Sequence, residues 1–310
     1  MPAKRLLIVD DLHPLFKQEA EALGYKVSNE PSISREQALA LITDCEGLAI
    51  RTKFKVDKEF IDAAPQLKWI ARAGAGMDNV DEAYAQSKGI TCINAPEGNA
   101  DAVGEHTVGM LLTLLNKFRQ ADMQVRNGVW NREANRGWEL KGRTVGIIGY
   151  GHMGQSFAQK LQGFGVQVIA YDKYKTDFSD AFAKEVSMEE IVKHSDVLSL
   201  HVPLTRETKY LVNQEYLFHF RKPIFLLNTS RGEVLDTLAL LKTLKDGKVL
   251  GAGLDVLETE KFPALGEQTW YPELVAQPNV LLSPHVAGWT QESYRKISEV
   301  LAQKLKNLQI

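Results

Sequence analysis

Short apolar runs rich in β-branched residues alternate along the chain with longer stretches whose apolar positions recur at helical spacing. This alternation predicts parallel strands joined by helices, because a strand covered on both faces can be apolar throughout while its connecting helices stay amphipathic. Early strand candidates are RLLIVD (5–10), GLAIR (47–51), LKWIARA (67–73) and ITCIN (90–94). Later ones are TVGIIG (144–149), VQVIAYD (166–172), VLSLHV (197–202), IFLLNTS (224–230), GLDVL (253–257) and VLLSP (280–284). Two α/β units fit the list. Ser187 and Glu190 in SMEEIVKHSD (187–196) have capping-box spacing and support a helix there. From Asp101 to about Asn127, Val103, Val108, Leu111, Leu112, Leu115 and Phe118 predict one long helix. Its apolar face needs a large partner, either the core beside the strands or a second subunit.

Composition narrows the class. A length of 310 residues suits two domains, and Lys+Arg of 37 against Asp+Glu of 39 gives a net charge of −2 with no long run of either sign. Neither nucleic acid nor a membrane surface is indicated as a partner. Asp10, Asp11 and His13 interrupt the opening apolar run too early for a signal peptide, and no span approaches the roughly 20 apolar residues of a membrane helix. Cys45 and Cys92 are too few for a disulfide framework or a cysteine-based metal site. A reduced, cytoplasmic protein without a metal is expected.

The chemistry begins at VGIIGYGHMG, where Gly149, Gly151 and Gly154 stand in G-x-G-x-x-G spacing between an apolar strand and a helical pattern. In that context the first glycine permits a tight turn, the second lets a pyrophosphate approach the backbone, and the third lets the helix pack on the strand. Asp172 closes the next strand, where a carboxylate can accept from ribose hydroxyls and repel a 2′-phosphate. NAD is therefore expected over NADP, although Lys173 and Lys175 follow closely.

Three later strand ends supply polar groups. NTSRG (228–232) brings Thr229, Ser230 and Arg231; GAGLDVLETE (251–260) brings Asp255 and Glu260; SPHVAGWT (283–290) brings His285. Reduction of a 2-oxo acid needs a cation for its carboxylate, a hydride and a proton. The planar fork of Arg231 suits the first, and an imidazole at position 285 suits the last. Glu260 beside it would fix the ring's orientation.

These stretches, with ARAGAGMDNVD (71–81), NAPEGNADAVGEHTVGMLL (94–112) and HVPLTRETKYLVN (201–213), resemble the NAD-dependent D-2-hydroxyacid dehydrogenases over nearly the whole chain. They resemble the phosphoglycerate dehydrogenase branch in particular. The resemblance implies Arg231, Glu260 and His285 as the catalytic set, with His285 the acid/base. It implies cofactor contacts at His152, Met153, Asp172, Val202, Thr229, Ser230, Asp255 and Gly288. It also implies that backbone N–H groups around Ala75 and Gly76 hold the substrate carboxylate with Arg231. The family commonly has proline directly after the catalytic acid, whereas TEKFP places Lys261 and Phe262 between, which leaves Glu258 as a competitor.

The implied fold is two Rossmann-like domains with an interdomain cleft. A flavodoxin-like substrate domain would comprise 1–99 plus 286–310, and an NAD-binding domain would comprise 100–285. Similar enzymes are dimers. Sequence after His285 suffices for a returning helix, roughly 293–308, so no C-terminal effector module is expected. Arg51, Arg72 and Arg132 match phosphate-contacting positions of the phosphoglycerate dehydrogenases, which implies 3-phosphoglycerate and 3-phosphohydroxypyruvate as substrates and a place in serine biosynthesis. The other expectations to separate are a glyoxylate or hydroxypyruvate reductase and an NAD(H)-sensing binding protein.

Overall fold

The computed structural model describes residues 4–308. The chain divides into two compact units, Met1–Ala100 with Trp289–Ile310, and Asp101–Gly288.

The first unit is built on β1 (Arg5–Ile8), β2 (Lys26–Asn29), β3 (Gly47–Ile50), β4 (Trp69–Arg72) and β5 (Thr91–Asn94), all parallel in the order β2-β1-β3-β4-β5. β3 starts with glycine for a steric reason: a Cβ on Gly47 would lie 2.1 Å from the indole of its register partner Trp69. That indole is fully buried, and its N–H donates to the Tyr25 hydroxyl at 3.0 Å, so the large ring leaves no polar group unsatisfied. β2 reads KVSN and lies at the sheet's edge with both ends exposed. A half-wet strand of this kind gives no apolar run to recognise. The helix Gln291–Asn307 starts at a full capping box of Thr290 and Ser293, and buries Ile297, Leu301 and Leu305 against Leu6, Ile8 and Trp69.

The second unit carries β6 (Thr144–Ile148), β7 (Gln167–Tyr171), β8 (Lys184–Glu185), β9 (Val197–Leu200), β10 (Ile224–Asn228), β11 (Val249–Leu254) and β12 (Val280–Leu282). They form one parallel sheet, β12-β11-β10-β9-β6-β7-β8. Winding reverses between β6 and β9, and the carboxyl ends of strands at such a reversal form the crevice in which doubly wound sheets take ligands. The α/β class with parallel sheets in two Rossmann-like units is the architecture observed.

Three expectations need correction. β11 begins at Val249 and stops at Leu254, not 253–257. Gly251 and Gly253 interrupt its apolar pattern, yet both are required by close packing, since a Cβ would meet the Asn279 carbonyl or the Leu227 side chain at 2.9 Å. The long helix is two, Ala100–Leu115 and Phe118–Arg126, separated where Lys117 takes φ 52. The first buries Val103, Met110, Leu111 and Leu115; the second buries nothing, and Phe118 is 57% exposed. The capping box at Ser187 is half formed: Ser187 accepts from the Glu190 N–H at 3.3 Å, but the Glu190 carboxylate turns to Lys193 and His194.

Candidate active site

The glycine turn after β6 divides its work among three positions. Gly149 has φ +92, and a Cβ there would sit 2.5 Å from the His201 carbonyl. A Cβ on Gly154 would be 2.2 Å from the Gly149 carbonyl, so the helix His152–Lys160 packs directly on the turn. Gly151, the N-cap of that helix, has nothing within 4 Å of its Cβ position. Open space beside unpaired helix N–H groups is what a pyrophosphate needs. His152 is exposed and Met153 half-buried at the start of the helix. Val202, just past β9, lies against Gly149.

Asp172 follows β7 and latches this turn, accepting from Tyr150 N–H at 2.9 Å and Tyr174 N–H at 3.0 Å. The lysines that follow it have other partners. Lys173 pairs with Glu207 at 2.7 Å, and Lys175 donates to the Tyr150 carbonyl at 2.7 Å. Tyr150, buried inside the motif, donates its hydroxyl to Asp180; burial first, then that carboxylate, pushes its pKa up.

At the other side of the sheet, the register aligns Asn228 with Leu254 and Leu254 with Leu282, so three loops leave one edge at the same level. The fully buried Asn228 folds the first: its Oδ1 accepts from Ser230 N–H and Oγ at 3.1 and 2.8 Å, and its amide donates to the Arg231 carbonyl at 3.0 Å. Thr229 Oγ1 lies 3.2 Å from Thr107 Oγ1. Arg231 donates to the Ser230 carbonyl at 2.6 Å, and Gly232 packs on the Leu257 backbone so closely that a Cβ would lie 2.0 Å from it.

Asp255 anchors the third loop. Only 1% exposed, its carboxylate accepts from Ser283 Oγ at 2.5 Å, Val286 N–H at 3.0 Å and Ala287 N–H at 2.8 Å. Its carbonyl accepts from His285 N–H at 2.7 Å. The loop thus holds His285 at φ 55, a backbone region uncommon for a non-glycine residue. The imidazole Nδ1 stands 2.9 Å from Glu260 Oε2. Glu258 has other partners, the Tyr210 hydroxyl at 2.8 Å and Thr237 N–H at 2.9 Å, and it pushes the Tyr210 phenol up to about 12. Gly288 closes the unit, half-buried.

In the first unit, Asp10 accepts from the N–H groups of Arg51, Thr52 and Lys53 at 2.8 to 3.0 Å, fixing the turn after β3. The Arg51 guanidinium stacks on Trp289, 3.7 Å from the ring centroid. Arg72 ends the adjacent strand and folds over Gly74, whose φ is +145 and whose Cβ would lie 1.9 Å from Arg72 Nη1. Asn94 pins the Ala75 carbonyl at 2.6 Å, and among the described residues no backbone acceptor takes the Ala75 or Gly76 N–H. Arg132 is exposed in the second unit, beyond the helix Phe118–Arg126. Its neighbour Arg136 is paired with Glu133 at 2.7 Å.

Several residues escaped the sequence reading, chiefly Asn228, Tyr150, Trp289, Ser283 and His106. Ser283 and His106 lie within stretches quoted above, but they are 177 positions apart and meet only in the fold, at 3.0 Å.

A doubly wound parallel sheet with this glycine turn and an acid ending the second strand is a dinucleotide-binding unit. Residues 108–287 match the family described as D-isomer specific 2-hydroxyacid dehydrogenase, NAD binding domain, and the chain belongs to that family. It is 35% identical over 295 residues to a hydroxypyruvate reductase of Thermotoga maritima, covering 94% of this chain and 95% of that one. It is 33% identical over 307 residues to a D-3-phosphoglycerate dehydrogenase of Methanocaldococcus jannaschii, covering 98% of this chain but 57% of that longer one. Its fold superposes with a TM-score of 0.82, at 28% identity, on a D-lactate dehydrogenase of Aquifex aeolicus complexed with NAD and lactic acid, covering 98% and 94% of the two chains. NAD is the cofactor of this family, and the glycine turn fits it. Among the described residues no helix is long and apolar enough to cross a membrane, and no cluster of His, Cys, Asp or Glu could hold a metal.

Proposed function

We propose that the chain interconverts a D-2-hydroxy acid and its 2-oxo acid, with 3-phosphoglycerate and 3-phosphohydroxypyruvate as the physiological pair, the oxidoreduction step of serine biosynthesis. The observation that carries the reaction class is the His285–Glu260 pair leaving the same sheet edge, in register, as Arg231. Because Nδ1 faces Glu260, Nε2 is the ring nitrogen left to exchange a proton with the substrate oxygen. Arg231 takes the substrate carboxylate through its fork. Bound NAD supplies or accepts the hydride. The complete His, Glu and Arg set supports turnover over a purely NAD(H)-sensing role.

The phosphate reading is supported by two guanidinium groups at neighbouring strand ends, Arg51 and Arg72. Stacking on Trp289 leaves the edge of the Arg51 fork to donate charge-assisted hydrogen bonds. The second reading, a glyoxylate or hydroxypyruvate reductase, is favoured by the Thermotoga relative, which matches along 95% of its own length. NADH absorbance with 3-phosphohydroxypyruvate, hydroxypyruvate and glyoxylate separates the two. The phosphorylated acid should have the highest kcat/KM and lose most of its advantage in Arg72→Ala; equal efficiencies in the wild type would transfer the assignment to the reductase. His285→Asn should lower kcat by about 10²- to 10⁴-fold, the usual worth of a general acid/base, while NADH titration stays near normal.

The same reading takes the protein as a cytoplasmic homodimer. The helix Phe118–Arg126 and the segment after it expose Phe118, Met123, Val125 and Trp130, a patch suited to a second copy. Sedimentation equilibrium should return twice 34.7 kDa, and a monomer would remove this part. Cys45 and Cys92 are free thiols whose pKa values burial pushes up to about 11, which suits a reducing compartment.

A further inference from the structure

The helix Ala100–Leu115 does more than fill the core. His106 Nε2 lies 3.0 Å from Ser283 Oγ and 3.7 Å from Asp255 Oδ1, while Ser283 Oγ stands 2.5 Å from that same carboxylate oxygen. Counting donors orders the chain. An ionised carboxylate only accepts, so the single Ser283 hydroxyl proton goes to Asp255. Ser283 then has only lone pairs to offer, and His106 must present Nε2–H to it. The direction is therefore His106 to Ser283 to Asp255.

That chain ends on the group that shapes the histidine loop. The Asp255 carboxylate holds Val286 and Ala287, and its backbone carbonyl holds His285, whose φ of 55 is kept only by surrounding contacts. One residue along the same helix, Thr107 bonds Thr229 in the turn that presents Arg231. Adjacent residues of one helix thus brace the loops of both proposed catalytic groups. We propose that His106 is a positioning residue for the reaction: through Ser283 and Asp255 it sets where the His285 imidazole stands, without touching substrate or cofactor. This rests on the acid/base role proposed for His285.

The test compares His106→Leu, which removes the donor, with His106→Gln, whose amide N–H reaches about as far as Nε2. A small displacement of a reacting group costs rate more than binding, so His106→Leu should lower kcat by about tenfold. NADH affinity and substrate KM should move little, and the pH midpoint of kcat should shift because it reports the acid/base group. His106→Gln should recover most of the rate and the wild-type midpoint. Ser283→Ala interrupts the same chain, so the double variant His106→Leu/Ser283→Ala should be no slower than the worse single one. Wild-type kcat and pH profile in His106→Leu, a Gln variant as impaired as the Leu one, or fully additive losses would each overturn the proposal. If His106→Leu folds poorly, the Gln variant and Ser283→Ala carry the same comparison. His285→Asn run alongside separates the two failures. A normal rate there removes the acid/base role, whereas a disabled His285→Asn beside an unaffected His106→Leu removes only the positioning role.

Discussion

His201 offers a measurable link between burial and pH. It follows β9, with Nε2 2.8 Å from Ser199 Oγ, its ring tilted against Phe157 at 5.6 Å, and its carbonyl under the Gly149 turn. Its Nδ1 is buried with no hydrogen-bond partner among the described residues. Burial disfavours the charged ring and pushes its pKa from 6.5 down to about 3. The sign follows directly. Below pH 6.5 the unfolded chain binds a proton that the folded chain refuses until near pH 3, so the contribution to stability is whole above 6.5 and erodes as pH falls. At pH 5 the erosion amounts to about 1.5 pH units at 1.36 kcal/mol each, roughly 2 kcal/mol. The residue as a whole is only half-buried, which brings the expectation to about 1–2 kcal/mol. Urea unfolding of the wild type and of His201→Gln at pH 7.5 and 5.0 gives a double difference in which other titrating groups cancel. The Gln variant should lose about 1–2 kcal/mol less between the two pH values. Equal losses, within about 0.5 kcal/mol, would show that the ring takes up its proton in the folded state and that the burial argument is wrong.

If Asp172 accepts from the ribose, Asp172→Ala removes that acceptor together with the latch on Tyr150 and Tyr174, so catalytic efficiency with NAD should fall and its margin over NADP should narrow; a wild type that already prefers NADP would contradict the role given to this carboxylate. Gly154→Ala places a methyl 2.2 Å from the Gly149 carbonyl, a backbone atom that cannot swing aside. The helix must shift, and overpacking of about 1–3 kcal/mol should appear as NADH affinity weakened by about fivefold or more in a fluorescence titration. Unchanged affinity would mean that the turn and helix are not rigidly coupled.

Much of this was legible because the informative residues are local in sequence. The glycine turn, the acid ending β7, and the Arg, Glu and His at three strand ends are patterns within windows of ten residues. What stayed hidden depends on the third dimension. β2 and the two-residue β8 are too polar or too short to show a pattern, and β11 conceals its start behind glycines needed for close packing. The break at Lys117 carries no proline or glycine to announce it. Sequence spacing left Glu258 and Glu260 open as partners for His285, and only the fold shows that Tyr210 and Thr237 engage the former. His106, Ser283 and Asp255 come together from a helix and two loops that nothing local connects.

The strand order has a further consequence for how the protein tolerates change. The carboxylate of Asp172, expected to accept from the ribose, follows β7, and the histidine follows β12, five strands away in the order β12-β11-β10-β9-β6-β7. At about 4.8 Å per strand the ends of β7 and β12 lie roughly 24 Å apart along the sheet, well beyond the distance at which substitutions usually interact. Changes in dinucleotide preference and changes in proton transfer should therefore combine as independent multipliers of rate, leaving each half of the sheet free to diverge without retuning the other.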